Sequence, residues 1–304
     1  MKIFKKIAAT ILFIIVLSLL GGYFYFDQKF TPDKNYLTVE KESEKIEPTW
    51  LGIDKNVLLV PIKFPEDTAK YYLQFDTGSE YTEFYYRSIK HLKEIKINNK
   101  IAETSFYIGN TKITSDKFKI ADTGKETDKN DSIKIIGTLG ADILENRKTI
   151  INLRENYLVF NLLNQPIEFQ NKLIDFKFKR RKIIIQALLK GKSEKFLYDS
   201  GTSAFELLTS KEIWKDLKLP NSKIIIEKAQ SKHNILTTFT AKSNNTILFK
   251  NKVIPLNEVT YVEGFSQTQY MLMKFSGMTG MLGNKIFLKN CIYIDCSENK
   301  VGID

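Results

Sequence analysis

Two short runs place a carboxylate at the end of an apolar stretch and follow it with a hydroxyl residue and a glycine: Asp76-Thr77-Gly78-Ser79 after YYLQF, and Asp199-Ser200-Gly201-Thr202 after KFLY. Two carboxyls held side by side cannot both ionise readily, so they share a proton and titrate as a pair. Such a pair can take a proton from a water with one member while the other, still protonated, polarises an electrophile. Gly78 and Gly201 suit this use, because a residue without Cβ lets backbone amides approach a carboxylate. An isolated Asp-Thr-Gly carries little weight. The chain holds a third copy, Asp122-Thr123-Gly124, which is followed by KETDKND, has no partner, and reads as a loop.

The elements around the two runs repeat. Gly137-Thr138-Leu139-Gly140-Ala141-Asp142-Ile143 aligns without a gap to Gly280-Met281-Leu282-Gly283-Asn284-Lys285-Ile286, Ile150-Ile151-Asn152 to Tyr293-Ile294-Asp295, and Glu155-Asn156 to Glu298-Asn299. Each half reads as an apolar strand, an Asp-Thr/Ser-Gly run, hairpins, a Leu-Gly motif and a closing pair of strands. Short apolar runs alternate with polar turns, which predicts an all-β architecture. Expected strands are 57–64, 71–75, 105–108, 117–120, 149–153, 157–160, 182–188, 223–227, 237–241, 246–249, 258–262 and 291–295, with helices only at Tyr85–Leu92 and Ser210–Leu217.

The duplicated pattern resembles the pepsin-like aspartic proteases, whose lobes carry Asp-Thr-Gly-Ser and Asp-Thr-Gly-Thr. The tail GMLGNKIFLKNCIYIDCSENKVGI, Gly280 to Ile303, looks like that family's closing segment. The resemblance runs from about Leu51 to the C-terminus and implies a compact, membrane-anchored, bacterial-type member. Its fold would be a two-lobed pepsin-like acid protease fold with pseudo-twofold symmetry. It implies a catalytic pair, Asp76 and Asp199, one from each lobe, acting as an aspartic-type endopeptidase on a polypeptide substrate. It also implies that the Thr77 and Ser200 hydroxyls bond across to the opposite loop, and that those of Ser79 and Thr202 hydrogen-bond the outer oxygens of their neighbouring aspartates. One departure is plain. The family's flap hairpin carries a tyrosine, whereas the candidate flap Ile95–Phe106 (IKINNKIAETSF) has none at its tip, and Tyr107 is assigned to core packing. A catalytically weak peptide-binding or envelope-interaction module on the same fold is the alternative reading.

The chain of 304 residues is 43% hydrophobic, with 12% aromatic residues, enough for a packed core and too apolar for disorder. At the N-terminus, Lys2, Lys5 and Lys6 precede an uncharged run from Ile7 to Phe26, about the ~20 residues that cross a bilayer. Residues 1–26 are therefore expected to be a transmembrane signal-anchor with its N-terminus cytoplasmic, leaving the remainder extracytoplasmic, periplasmic or extracellular. The aromatic end of the run, without a small-x-small site, favours an anchor over a cleaved signal peptide. Residues 27–50 read as a polar tether, 51–165 as an N-terminal lobe and 166–304 as a C-terminal lobe. An ordered strand near Tyr36-Leu37-Thr38-Val39 stays open.

The formal charge of +11 is scattered rather than gathered, which fits proximity to a membrane better than nucleic acid. The one basic run, Lys177-Phe178-Lys179-Arg180-Arg181-Lys182, falls where the halves connect and reads as solvated surface. Cys291 and Cys296, five apart on a strand, would face opposite sides and form no bridge. His91 and His233 lie near no triad or metal pattern, no cofactor or metal is implied, Trp50 and Trp214 read as core or lobe-edge residues, and a monomer is expected.

Overall fold

The computed structural model describes residues 2–128, 130–230, 235–250, 252–267, 270–271 and 276–304. It contains two compact units, Met1–Lys34 and Asn35–Asp304. The first is built on one helix, α1 (Lys2–Phe30). Its side chains from Ile11 to Leu20 are all exposed. Among the described residues, no helix is long and apolar enough to cross a membrane. The span expected from Ile7 to Phe26 includes residues 7–10 and Phe26, whose side chains lie outside the described ones.

The second unit is mostly β-sheet, as the alternation of short apolar runs and turns predicts. Among the described residues, nine strands form its first sheet: β1 (Thr38–Glu40), β2 (Thr49–Leu51), β3 (Val57–Ile62), β4 (Tyr71–Phe75), β5 (Glu83–Tyr85), β6 (Lys96–Asn98), β7 (Ile101–Ile108), β8 (Thr111–Ala121) and β9 (Ile135–Leu139). Twelve form the second: β10 (Lys148–Asn152), β11 (Tyr157–Val159), β12 (Leu173–Lys179), β13 (Lys182–Leu189), β14 (Lys192–Tyr198), β15 (Leu207–Thr209), β16 (Ile225–Gln230), β17 (Ile235–Phe249), β18 (Lys252–Glu263), β19 (Gly280–Leu282), β20 (Cys291–Asp295) and β21 (Lys300–Ile303). Two helices of this unit are short, α2 (Tyr86–Ile89) and α3 (Lys211–Leu217), the latter capped by Ser210, whose Oγ accepts from Ile213 N at 3.3 Å.

Local chemistry sets the registers. Along β7 and β13, buried and more exposed residues alternate, so one face of each strand meets the core. Arg180 and Arg181 both have positive φ (53° and 57°) and turn β12 tightly into β13, with Lys179 opposite Lys182. Lys190 and Gly191 do the same between β13 and β14.

The pairing around each Asp-Thr/Ser-Gly run follows one plan. In the first sheet β4 runs parallel to β9, β9 antiparallel to β5, and β5 parallel to β8. In the second, β14 runs parallel to β19, β19 antiparallel to β15, and β15 parallel to β18. Gly140 (φ −85°, ψ −179°) and Gly283 (φ −87°, ψ −178°) have the same backbone, and each opens a short 3-10 turn. At both positions the neighbouring chain passes so close that a Cβ would lie 2.3 Å from Tyr81 C or 2.1 Å from Thr202 O. Asn156 and Asn299, aligned by the repeat, share φ 56° in the turns between the closing strands.

The closing strands of the first half leave its sheet. β10 and β11 join the second sheet, with β10 antiparallel to β20 and Ile150 opposite Tyr293. A continuous core joins the halves, with Phe75, Phe84 and Phe118 of the first sheet in the same cluster as Phe196, Tyr198 and Phe287.

Several expectations change. Residues 27–50 are not a free tether throughout: Thr38–Glu40 pairs with β8, Ile46 is buried and bridges Leu158, and Thr49–Leu51 pairs with β3. The expected strands 237–241 and 246–249 are one strand, β17, carried past a bulge between Lys242 and Asn245. The helix expected over Tyr85–Leu92 shrinks to four residues. Cys291 and Cys296 are buried free thiols, and burial pushes Cys291 up to about 12.

Candidate active site

Strands β4 and β14 are each followed directly by an aspartate, and the strand beside each holds it there. Asp76 N donates to Leu139 O at 3.0 Å, and Asp199 N donates to Leu282 O at 2.9 Å. The Leu-Gly motifs are thus the backbone supports of the two aspartates. The following turns aim amides back at the carboxylates: Gly78 N and Ser79 N donate to Asp76 Oδ1 at 2.9 and 3.1 Å, and Gly201 N donates to Asp199 Oδ1 at 2.9 Å.

The two loops meet. The carboxyls of Asp76 and Asp199 come close enough for each to act on the other's proton. A Cβ on Gly78 would lie 2.5 Å from Asp199 Oδ1, and one on Gly201 2.4 Å from Asp76 Oδ1, so each glycine makes room for the opposite carboxylate. Below them, Ser200 N donates to Thr77 Oγ1 at 2.9 Å while Thr77 N donates to Ser200 Oγ at 2.9 Å. Each hydroxyl then donates to the strand end of the other loop, Thr77 to Tyr198 O at 3.1 Å and Ser200 to Phe75 O at 3.0 Å. All four bonds are buried, where an unpaired partner would cost most.

The Thr77 and Ser200 hydroxyls bond across to the opposite loop, whereas Ser79 and Thr202 were expected to reach the outer carboxylate oxygens. These two do not. Thr202 Oγ1 donates to the main-chain oxygen of Asp199 at 2.9 Å, and Ser79 Oγ donates to Tyr81 O at 3.1 Å. Both hydroxyls shape their own turns, because the amides at Gly78, Ser79 and Gly201 already bind the carboxylates.

Burial is the main force on the pair's proton. It raises Asp76 above the ordinary carboxylate range, with the Gly78 amide, the neighbouring Asp199 side chain and the charge of Lys182 opposing it. Burial together with the charge of Asp76 pushes Asp199 up to about 7. The pair therefore keeps one proton through mildly acidic pH, the state needed for one carboxylate to act as base and the other as acid.

No protein-family model matches the chain, and no curated protein does.

Each loop rests on a second buried group. Asp142, from the first Leu-Gly turn, accepts from Thr82 N and Thr82 Oγ1, both at 2.7 Å, and burial pushes it up to about 6. Asn284 in the second half donates to Ser203 Oγ at 2.7 Å and accepts from Tyr198 OH at 2.6 Å.

Three further residues near the pair escaped the sequence reading. Tyr85 shares a 2.7 Å hydrogen bond with Thr138 Oγ1, and its hydroxyl is raised by burial and lies within electrostatic reach of Asp76. Arg181 and Lys182 correct the reading of their basic run as solvated surface. The buried Arg181 pairs with Glu145 at 3.0 Å and also donates to Glu80 O, while Lys182 donates to Gly78 O. The available signal was the last two positions of the run, which fall at a strand start opposite the strand leading to Asp199.

Elsewhere, Asp122-Thr123-Gly124 lies in a loop after β8, with Gly124 at φ 92°. The candidate flap is the short hairpin β6–β7, with Asn98 opposite Ile101, and half-buried Tyr107 lies in β7 opposite Lys112. Trp214 is buried and donates to Val259 O; Trp50 is half-buried and donates to Asn156 Oδ1. His91 Nε2 lies 3.1 Å from Thr127 Oγ1, and His233 lies outside the described residues. Among the described residues no group of three His, Cys, Asp or Glu side chains could hold a metal ion.

Proposed function

We propose that the chain is an aspartic endopeptidase of the two-lobed, pepsin-like kind, in which Asp76 and Asp199 activate a water to hydrolyse a peptide bond. The observation that carries this reading is the close approach of two carboxyls, Asp199 buried and Asp76 half-buried, delivered by corresponding loops that grip each other. The recurrent strand pairing supports a pseudo-twofold arrangement of the lobes. A polypeptide is the substrate and no cofactor is called for, because a shared proton and a water supply the chemistry. The lysines before the uncharged run Ile7–Phe26 support attachment of the chain to a membrane, with the N-terminus cytoplasmic and the pair on the periplasmic or extracellular side.

The test is cleavage of an unstructured polypeptide by the full chain across pH. Activity is expected below neutrality, falling as pH rises through about 7 and the pair loses its shared proton. A statine-type inhibitor should block it, and Asp76→Asn or Asp199→Asn should each lower it on the order of 10²- to 10⁴-fold, with the double variant little worse than either. Cleavage unaffected by both substitutions would sink the assignment. The shortness of the β6–β7 hairpin and the lack of a tyrosine at its tip favour, as a second reading, a catalytically weak peptide-binding module. It is supported instead if peptides bind and none is cut at any pH.

A further inference from the structure

Lys182 starts β13, a strand that contributes neither of the paired aspartates. Its neighbour Ile183 lies opposite Tyr198, the residue before Asp199. From there the half-buried side chain reaches the first half, where Nζ donates to Gly78 O and lies 3.9 Å from Glu80 Oε1. The neighbouring Arg181 binds the same loop through Glu80 O and is itself fixed by Glu145. The tight Arg180-Arg181 turn sets the direction from which both cations arrive. We propose that Lys182 is a positioning residue that fixes the Gly78 carbonyl and sets the pH range over which the Asp76/Asp199 pair keeps a single proton. The proposal rests on the reading of that pair as the reactive centre.

A lysine that only solvated the surface would have no reason to be partly buried against the main chain of the Asp76 turn. The charged and titratable groups around it are the two aspartates, Glu80 from the same loop, Arg181 beside it, Glu145 behind Arg181, Lys179 opposite it in the hairpin, and Tyr198 and Tyr85 flanking the pair. Its charge favours the ionised form of both aspartates, opposing burial. Removing that charge leaves burial less opposed, so both steps of the pair should move to higher pH.

The experiment is a titration of the full chain in detergent, carrying aspartate labelled with ¹³C at the side-chain carboxyl, with the pair's resonances identified by their loss in D76N and D199N. In Lys182→Met the upper step should rise by about one pH unit or more, the size expected for loss of one nearby opposite charge, and in Lys182→Arg it should stay near the wild-type position. The alkaline limb of the pH–activity profile should move with it. If Lys182→Met does not fold, Lys182→Gln carries the same comparison. Steps that stay in place, or an equal loss of activity at every pH, overturn the proposal and leave Lys182 a purely structural contact. A step that moves in a chain that cleaves nothing upholds the role of Lys182 and removes the proteolytic reading. Cleavage that needs both aspartates without movement of the step does the reverse.

Discussion

The loop at Asp76 and the loop at Asp199 make the same crossing bonds through Thr77 and Ser200, yet they rest on different buried groups. The first is anchored by a carboxylate, Asp142, held by the backbone and hydroxyl of Thr82. The second is anchored by an amide, Asn284, between Ser203 and Tyr198. An amide has a donor and an acceptor and carries no charge, so its bonds are indifferent to pH. A buried carboxylate is not indifferent, and Asp142 gives the first loop's anchor a pH sensitivity that the second loop's anchor lacks. A repeat can therefore conserve a grip while changing the electrostatics beneath it.

The grip itself should give the largest effect on stability. Thr77→Ala strands Ser200 N and Ser200→Ala strands Thr77 N, so each should cost roughly 2–3 kcal/mol. Denaturant unfolding of the two single variants and the double variant should reveal a coupling of about 1–3 kcal/mol, because the bonds are reciprocal. Simple additivity would break the picture of one interlocked unit.

Next in size is the exchange of anchors. Asp142 sits above its unfolded value, so the stability tied to its protonated form is fully present below about pH 4 and is lost as pH rises through about 6. Asp142→Asn should remove that loss and raise stability near pH 8 by about 2–3 kcal/mol, with the slope contributed by the aspartate pair still present. Asn284→Asp should add a decline of the same sign to the second loop. Fluorescence-monitored unfolding at several pH values checks both, and a pH curve unchanged in Asp142→Asn would place the sensitivity elsewhere.

The smallest effects belong to Ser79 and Thr202, whose hydroxyls stay within their own turns. Ser79→Ala and Thr202→Ala should each cost about 1 kcal/mol or less and change cleavage no more than about threefold. A loss on the order of 100-fold in either would mean that its hydroxyl reaches the carboxylates during reaction.

Much of this site is legible in the residues because backbone geometry demands particular types. The two Leu-Gly motifs must be glycine where the chain passes close, and Gly78 and Gly201 must leave space for a carboxylate. Strand limits were less legible. Residues 237–249 read as two strands because Lys242 to Asn245 is polar, yet a bulge carries the pairing through it. The Tyr85–Leu92 periodicity promised more helix than forms, since the flanking sheet claims Tyr85 and the chain passes into a turn at Lys90–His91. The basic run was misread at Arg181 and Lys182 because composition cannot tell which cation a hairpin turn will fold inward.

The transfer of the first half's closing strands to the second sheet has a consequence for taking the chain apart. β10 lies between β11 of its own half and β20 of the other, so a first half made alone would present β10 as a bare edge, and a second half alone would present β20. Each fragment's missing neighbour is the other fragment. A break introduced in the 161–172 connection thus leaves two pieces that can reassemble in trans by strand pairing, and only the rejoined pair brings the two aspartates together.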